Sequence, residues 1–88
     1  MQLFCVVDSE TVPFPVNIRL DATVGDLKDA IKAKRQHDFN DFDAVRLTLF
    51  KLPEKTEMDA LSDLSVYFRT APKKGRIHVL VRPPINGK

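Results

Sequence analysis

This 88-residue chain has one cysteine, Cys5, and therefore no second thiol for an internal disulfide. A disulfide framework is excluded, which fits a reducing compartment or a protein that never relied on such bonds. No stretch approaches the ~18 consecutive apolar residues of a membrane-spanning helix, so membrane insertion is not expected. No charged n-region precedes an apolar h-region, so the chain shows no signal peptide. An Asn-x-Ser/Thr acceptor for N-glycosylation is missing. Charge of one sign is also lacking: fourteen Lys and Arg stand against twelve Asp and Glu, a net +2. That balance is too weak to drive nucleic-acid binding.

What is present reads as an ordinary globule, 43% hydrophobic and 30% charged. A chain of this length folds as one domain, burying about 60–65% of its unfolded surface. We place that domain at residues 1–84, with 85–88 as a flexible tail or the start of a linker.

Leu3, Cys5 and Val7 alternate with Gln2, Phe4 and Val6. A second alternating run, Val16, Ile18 and Leu20, follows Pro13 and Pro15 across the polar Asp8–Thr11 loop. Together they predict a hairpin whose second strand lies at a sheet edge, where a missing amide donor is tolerated. An open edge there leaves room for a weak homodimer.

The spacing next predicts a helix over 23–36, with Thr23 as N-cap and Asp26 in the capping-box position. Val24, Leu27, Ala30 and Ile31 form its apolar face, while Lys28 is expected to face water. Val45, Leu47 and Leu49 alternate in a third strand, Met58–Tyr67 can hold a helical turn around 59–64, and Ile77, Val79 and Val81 make the last strand. Strand, strand, helix, strand, short helix, strand is the order of an α+β β-grasp. It predicts a mixed four- to five-stranded sheet around one main helix, with the first and last strands central and parallel.

Two resemblances follow, one nested in the other. Met1-Gln2-Leu3-Phe4, Thr23-Val24, Leu61-Ser62-Asp63 and His78-Val79-Leu80-Val81-Arg82 resemble ubiquitin over most of the chain. The closer resemblance is to the N-terminal header domain of crinkler effectors. It rests on Leu3–Val7, Phe14-Pro15-Val16, Thr23–Lys32, Leu47-Thr48-Leu49-Phe50 and Ile77–Pro84. The resemblance implies a ubiquitin-like N-terminal domain of a secreted effector, active in the host cell and for many members in its nucleus. Its role would be protein recognition, secretion or targeting of an attached effector module. The namesake motif usually reads Leu-x-Leu-Phe-Leu-Ala-Lys. Here Leu47-Thr48-Leu49-Phe50 is followed by Lys51-Leu52-Pro53, so the second half of the motif is replaced.

Period-2 parity puts Leu47 and Leu49 in the core and Thr48 and Phe50 on the opposite face. Thr48, Phe50, Lys51 and Leu80 are the expected contacts for a protein partner, since aromatic anchors carry disproportionate interface energy. Thr48 falls where ubiquitin's central patch isoleucine would sit, so different partners are implied. Conjugation is disfavoured because the chain ends Pro83-Pro84-Ile85-Asn86-Gly87-Lys88, stiff and without Gly-Gly.

The alternative is an adaptor or Ras-binding-type domain whose basic surface, Lys32, Lys34 and Arg35 with Lys73, Lys74 and Arg76, meets an acidic partner. No aromatic is interleaved with these charges, which argues against nucleic acid. Neither a metal nor another cofactor is expected. His37 and His78 lack partners at ligand spacing, and Asp38, Asn40, Asp41 and Asp43 lack the Gly and bidentate Glu of a calcium loop. Cys5 has inward parity and no adjacent base, and the chain carries no nucleophile–base pair, so catalysis is not expected.

Overall fold

The structure, a computed structural model, describes residues 1–37, 43–52, 54–68 and 76–84. Strand β1 (Gln2–Val7) pairs antiparallel with β2 (Phe14–Asn17), setting Leu3 opposite Val16 and Cys5 opposite Phe14. Met1 and Ile18 prolong this ladder by exchanging two hydrogen bonds of 2.9 Å. Bonded and non-bonded pairs alternate from there, so Pro15, opposite Phe4, falls at a non-bonded position. Its missing donor therefore faces the open edge, where no ladder bond is lost.

Helix α1 (Val24–Lys34) begins at a complete capping box. Thr23 Oγ1 accepts from the Asp26 amide and Asp26 Oδ2 accepts from the Thr23 amide, each at 3.1 Å. Two further N-terminal amides of the helix, orphaned by its geometry, donate to the 60–62 turn: Val24 to Ser62 O and Gly25 to Ala60 O. The approach is close, since a Cβ on Gly25 would stand 3.3 Å from that same carbonyl.

After a 3-10 turn (Ala44–Arg46) come β3 (Thr48–Lys51), β4 (Thr56–Glu57), the one-turn helix α2 (Leu64–Tyr67) and β5 (Val79–Arg82). The sheet runs β2-β1-β5-β3-β4, with β1 and β5 parallel and the other neighbours antiparallel. Leu3, Cys5, Val7, Leu49, Val79 and Val81 of the inner sheet face meet Val24, Leu27 and Ile31 of α1 in one core. This is the α+β architecture of a β-grasp, a five-stranded sheet with one main helix, its first and last strands adjacent and parallel inside the sheet.

Several details depart from the sequence expectation, and Leu20 and Ile77, expected in strands, lie outside β2 and β5 and are exposed. Residues 44–46 coil instead of extending, because an i, i+3 turn places both Ala44 and Leu47 in the interior. The short helix starts at Leu64 and not near 59, since Asp59 Oδ1 accepts from the Leu61 amide and Asp59 O from the Ser62 amide, closing a turn first. Lys28 is buried at 8% exposure, its stem lining a cleft with Ala60 and Leu61. Strand β4 has no counterpart in the pattern. The turn before it uses Lys55 at φ 63, a left-handed conformation usually signalled by glycine. Asp38, Asn40 and Asp41 of the polar loop and the 85–88 tail lie outside the described residues.

Candidate recognition surface

The sheet has α1 on one face only, and strand parity decides which side chains face the other way. On that outer face Val6 lies beside Leu80, and Leu80 lies directly opposite Phe50. One row along, Thr48 opposes Arg82. The expected contacts Thr48, Phe50 and Leu80 are thus brought together, each half-buried, while motif residues Leu47 and Leu49 sit fully in the core.

Phe50 is not a bare ring. The Arg82 guanidinium lies 4.8 Å from its centroid and the Lys55 ammonium 5.9 Å from it. Each such contact is worth about 0.5–1 kcal/mol at an exposed site. Arg82 is held in turn by Asp8, Nε to Oδ2 at 3.6 Å. The surface is therefore an aromatic–aliphatic row, Val6–Leu80–Phe50, bordered by cations. Arg82 and Val6 were missing from the sequence reading. Period-2 parity with Leu80 gives Arg82, whereas Val6 needs the parallel register of β1 and β5.

Lys51 does not belong to this group. It shares the parity of Leu49 and opposes Val79, so its ammonium turns to Glu54 at 3.0 Å and to the Phe68 ring at 5.9 Å. A hydrogen bond from its own backbone, and then Lys51, hold the exposed Glu54 carboxyl below the usual range.

Arg35 also leaves the basic surface. Its guanidinium takes both Glu10 carboxylate oxygens, at 3.1 and 2.8 Å, and stacks 5.2 Å from the Phe14 centroid. Lys32 and Lys34 stay in the last turn of α1, and Arg76 is exposed just before β5. Lys73 and Lys74 lie outside the described residues.

Next to the row, His78 fills the place where β5 begins. Its amide donates to Phe4 O at 2.8 Å, and its Nδ1 accepts from the Phe4 amide at 3.0 Å. The ring so replaces a backbone carbonyl in the parallel ladder. On the inner face, burial pushes the Cys5 thiol up to about 12, so it carries no thiolate near neutrality. Among the described residues, no three His, Cys, Asp or Glu side chains group in a way that could hold a metal ion. What the outer face can do chemically is bind: apolar contact from the row, and charge-assisted hydrogen bonds from its rim.

Comparison with known proteins agrees with the resemblance noted from the sequence. A protein of Rhizophagus irregularis named Crinkler effector protein 1 is 34% identical over 99 aligned residues, covering 93% of this chain and 21% of that protein. Crinkler effector protein 108 of Phytophthora sojae is 47% identical over 51 residues, covering 57% of this chain and 6% of that protein. The chain thus spans about a fifth or less of the length of these relatives. Residues 1–57 match the family described as Crinkler effector protein N-terminal domain, so this chain, with its β-grasp fold, belongs to the crinkler family as an N-terminal domain.

Proposed function

We propose that this chain is the non-catalytic, ubiquitin-like N-terminal domain of a secreted crinkler effector, and that it acts by protein recognition to direct an attached module inside the host cell. The observation that carries the reading is the half-buried Leu80, Phe50 and Thr48, in line with the buried Val6, on the sheet face that α1 does not cover. Aromatic and aliphatic anchors of this kind dominate interface energies when a partner excludes water around them. The relatives that share this domain are several times longer, which fits a targeting role in front of a separate activity. Secretion and residence in the host cell, for many members its nucleus, belong to this same reading.

The experiment is capture from host and producing-cell lysates at low and high salt, with wild type beside Phe50→Ala and Leu80→Ala. A defined set of proteins retained at high salt and lost from both variants, at nearly unchanged thermal midpoint, is the expected result. Retention of the same set by both variants would sink the reading. The charged-adaptor alternative loses one of its three helix-end cations, because Arg35 is already bound to Glu10. It predicts a partner released by salt and dependent on Lys32 and Lys34.

A further inference from the structure

A second cleft opens beside the hairpin, lined by Phe4, Pro13, Arg76 and Ile77, with a volume of about 180 Å³. That is below the roughly 300–1,000 Å³ of small-molecule and cofactor sites, and is of the order of one large side chain. Its surroundings are apolar and open. Val12, adjoining Pro13, is 72% exposed, and Ile77 is 38% exposed.

The cleft carries one cation. Arg76 has no ion-pair partner among the described residues. The two carboxylates of the nearby β1–β2 connection are engaged elsewhere, Asp8 with Arg82 and Glu10 with Arg35. The sequence adds Lys73 and Lys74 just ahead of Arg76, and no acid from 64 to 84. A guanidinium at an apolar wall favours a carboxylate held by two parallel hydrogen bonds.

From these features we infer that the cleft receives an acidic peptide segment of a partner protein, one apolar side chain entering between Phe4, Pro13 and Ile77 while the adjacent carboxylate pairs with Arg76. The cleft shares no lining residue with the Thr48–Phe50–Leu80 patch and does not require that patch to bind anything.

The test follows backbone amides of the ¹⁵N-labelled chain by NMR. The probes are a blocked peptide Ser-Gly-Leu-Asp-Gly-Ser, its Asn counterpart and inorganic phosphate. The Asp peptide is expected to shift the amides of Phe4, Arg76 and Ile77 and to bind about tenfold more tightly than the Asn peptide. Arg76→Gln, at an exposed position, should abolish that preference at unchanged thermal midpoint, while Ile77→Ser weakens both peptides. Equal binding of the two peptides, or no shift from either at millimolar concentration, overturns the inference. So does a response centred on Thr48, Phe50 and Leu80, which would assign the peptide to the other patch. Phosphate moving Arg76 as strongly as the Asp peptide would also overturn it, leaving a simple anion site.

Discussion

Arg35, just past the last turn of α1, holds Glu10 of the β1–β2 connection through two parallel hydrogen bonds while its guanidinium lies 5.2 Å from the Phe14 ring centroid. One side chain thereby ties the helix end to the β1–β2 connection and to the start of β2. The pair is partly shielded, with side chains 20% and 39% exposed, so it is worth more than a fully solvated bridge.

Arg35→Ala is accordingly expected to destabilise the fold by roughly 1–2 kcal/mol, combining the bidentate pair and the ring contact. Arg35→Lys should recover only part of this, since an ammonium cannot grip both oxygens in the same plane. Urea denaturation of the three proteins reads the effect. A loss from Arg35→Ala below about 0.3 kcal/mol, a threshold at the scale of an ordinary exposed pair, would show that the clamp contributes nothing.

Arg82→Gln removes the guanidinium over Phe50 and its link to Asp8. Stability should fall by less than about 1 kcal/mol, because both contacts are half in solvent. The larger effect should be on exposure of the ring, read as increased binding of a hydrophobic dye such as ANS. No dye response would mean that Arg82 does not cover Phe50 in solution.

His78→Ala leaves the Phe4 amide without its acceptor at a site where His78 is only 7% exposed. An unsatisfied buried donor costs about 1–3 kcal/mol, and the lost ring contact with Phe4 adds to it. Hydrogen exchange at the Phe4 amide gives the sharper reading, since its protection should collapse ahead of that of Cys5 and Val7. Equal protection in wild type and variant would contradict the bond.

Cys5 gives the pH prediction. Burial raises its thiol from an ordinary 9.0 to about 12, so the folded state favours the protonated form. The associated stability is complete below pH 9.0 and is lost as pH rises from there toward about 12. Stability of wild type should therefore decline across this range more steeply than that of Cys5→Val, followed by denaturant titration at each pH. Thiol reagents should modify Cys5 only in the unfolded protein. Rapid labelling of the native chain at about pH 8, below the ordinary thiol range, would contradict this.

Local pattern carried the two sheet faces and the element order apart from the 3-10 turn and β4. Alternation put Leu47 and Leu49 inside with Thr48 and Phe50 outside, and the capping box at Thr23 and Asp26 announced the helix. Pairings across long stretches of chain were not legible. Glu10 meets Arg35 across 25 residues and Phe4 meets His78 across 74, and no periodicity records either. Lys51 was assigned to the outer face by its neighbourhood in sequence, although its own parity with Leu49 assigns it to the other side. The turn at Lys55 was hidden for a different reason: a lysine occupies the left-handed conformation where a glycine would have signalled it.

The parallel pairing of β1 with β5 also determines how the domain meets a pulling force. Because these strands run side by side in one direction, the start of β1 and the finish of β5 lie at opposite ends of the sheet. Tension applied between them loads the β1–β5 hydrogen bonds together, in shear, and not one after another from a free end. A machine that unravels the chain by drawing on those two ends must break the central ladder as a unit, whereas the short β3–β4 hairpin can peel away bond by bond.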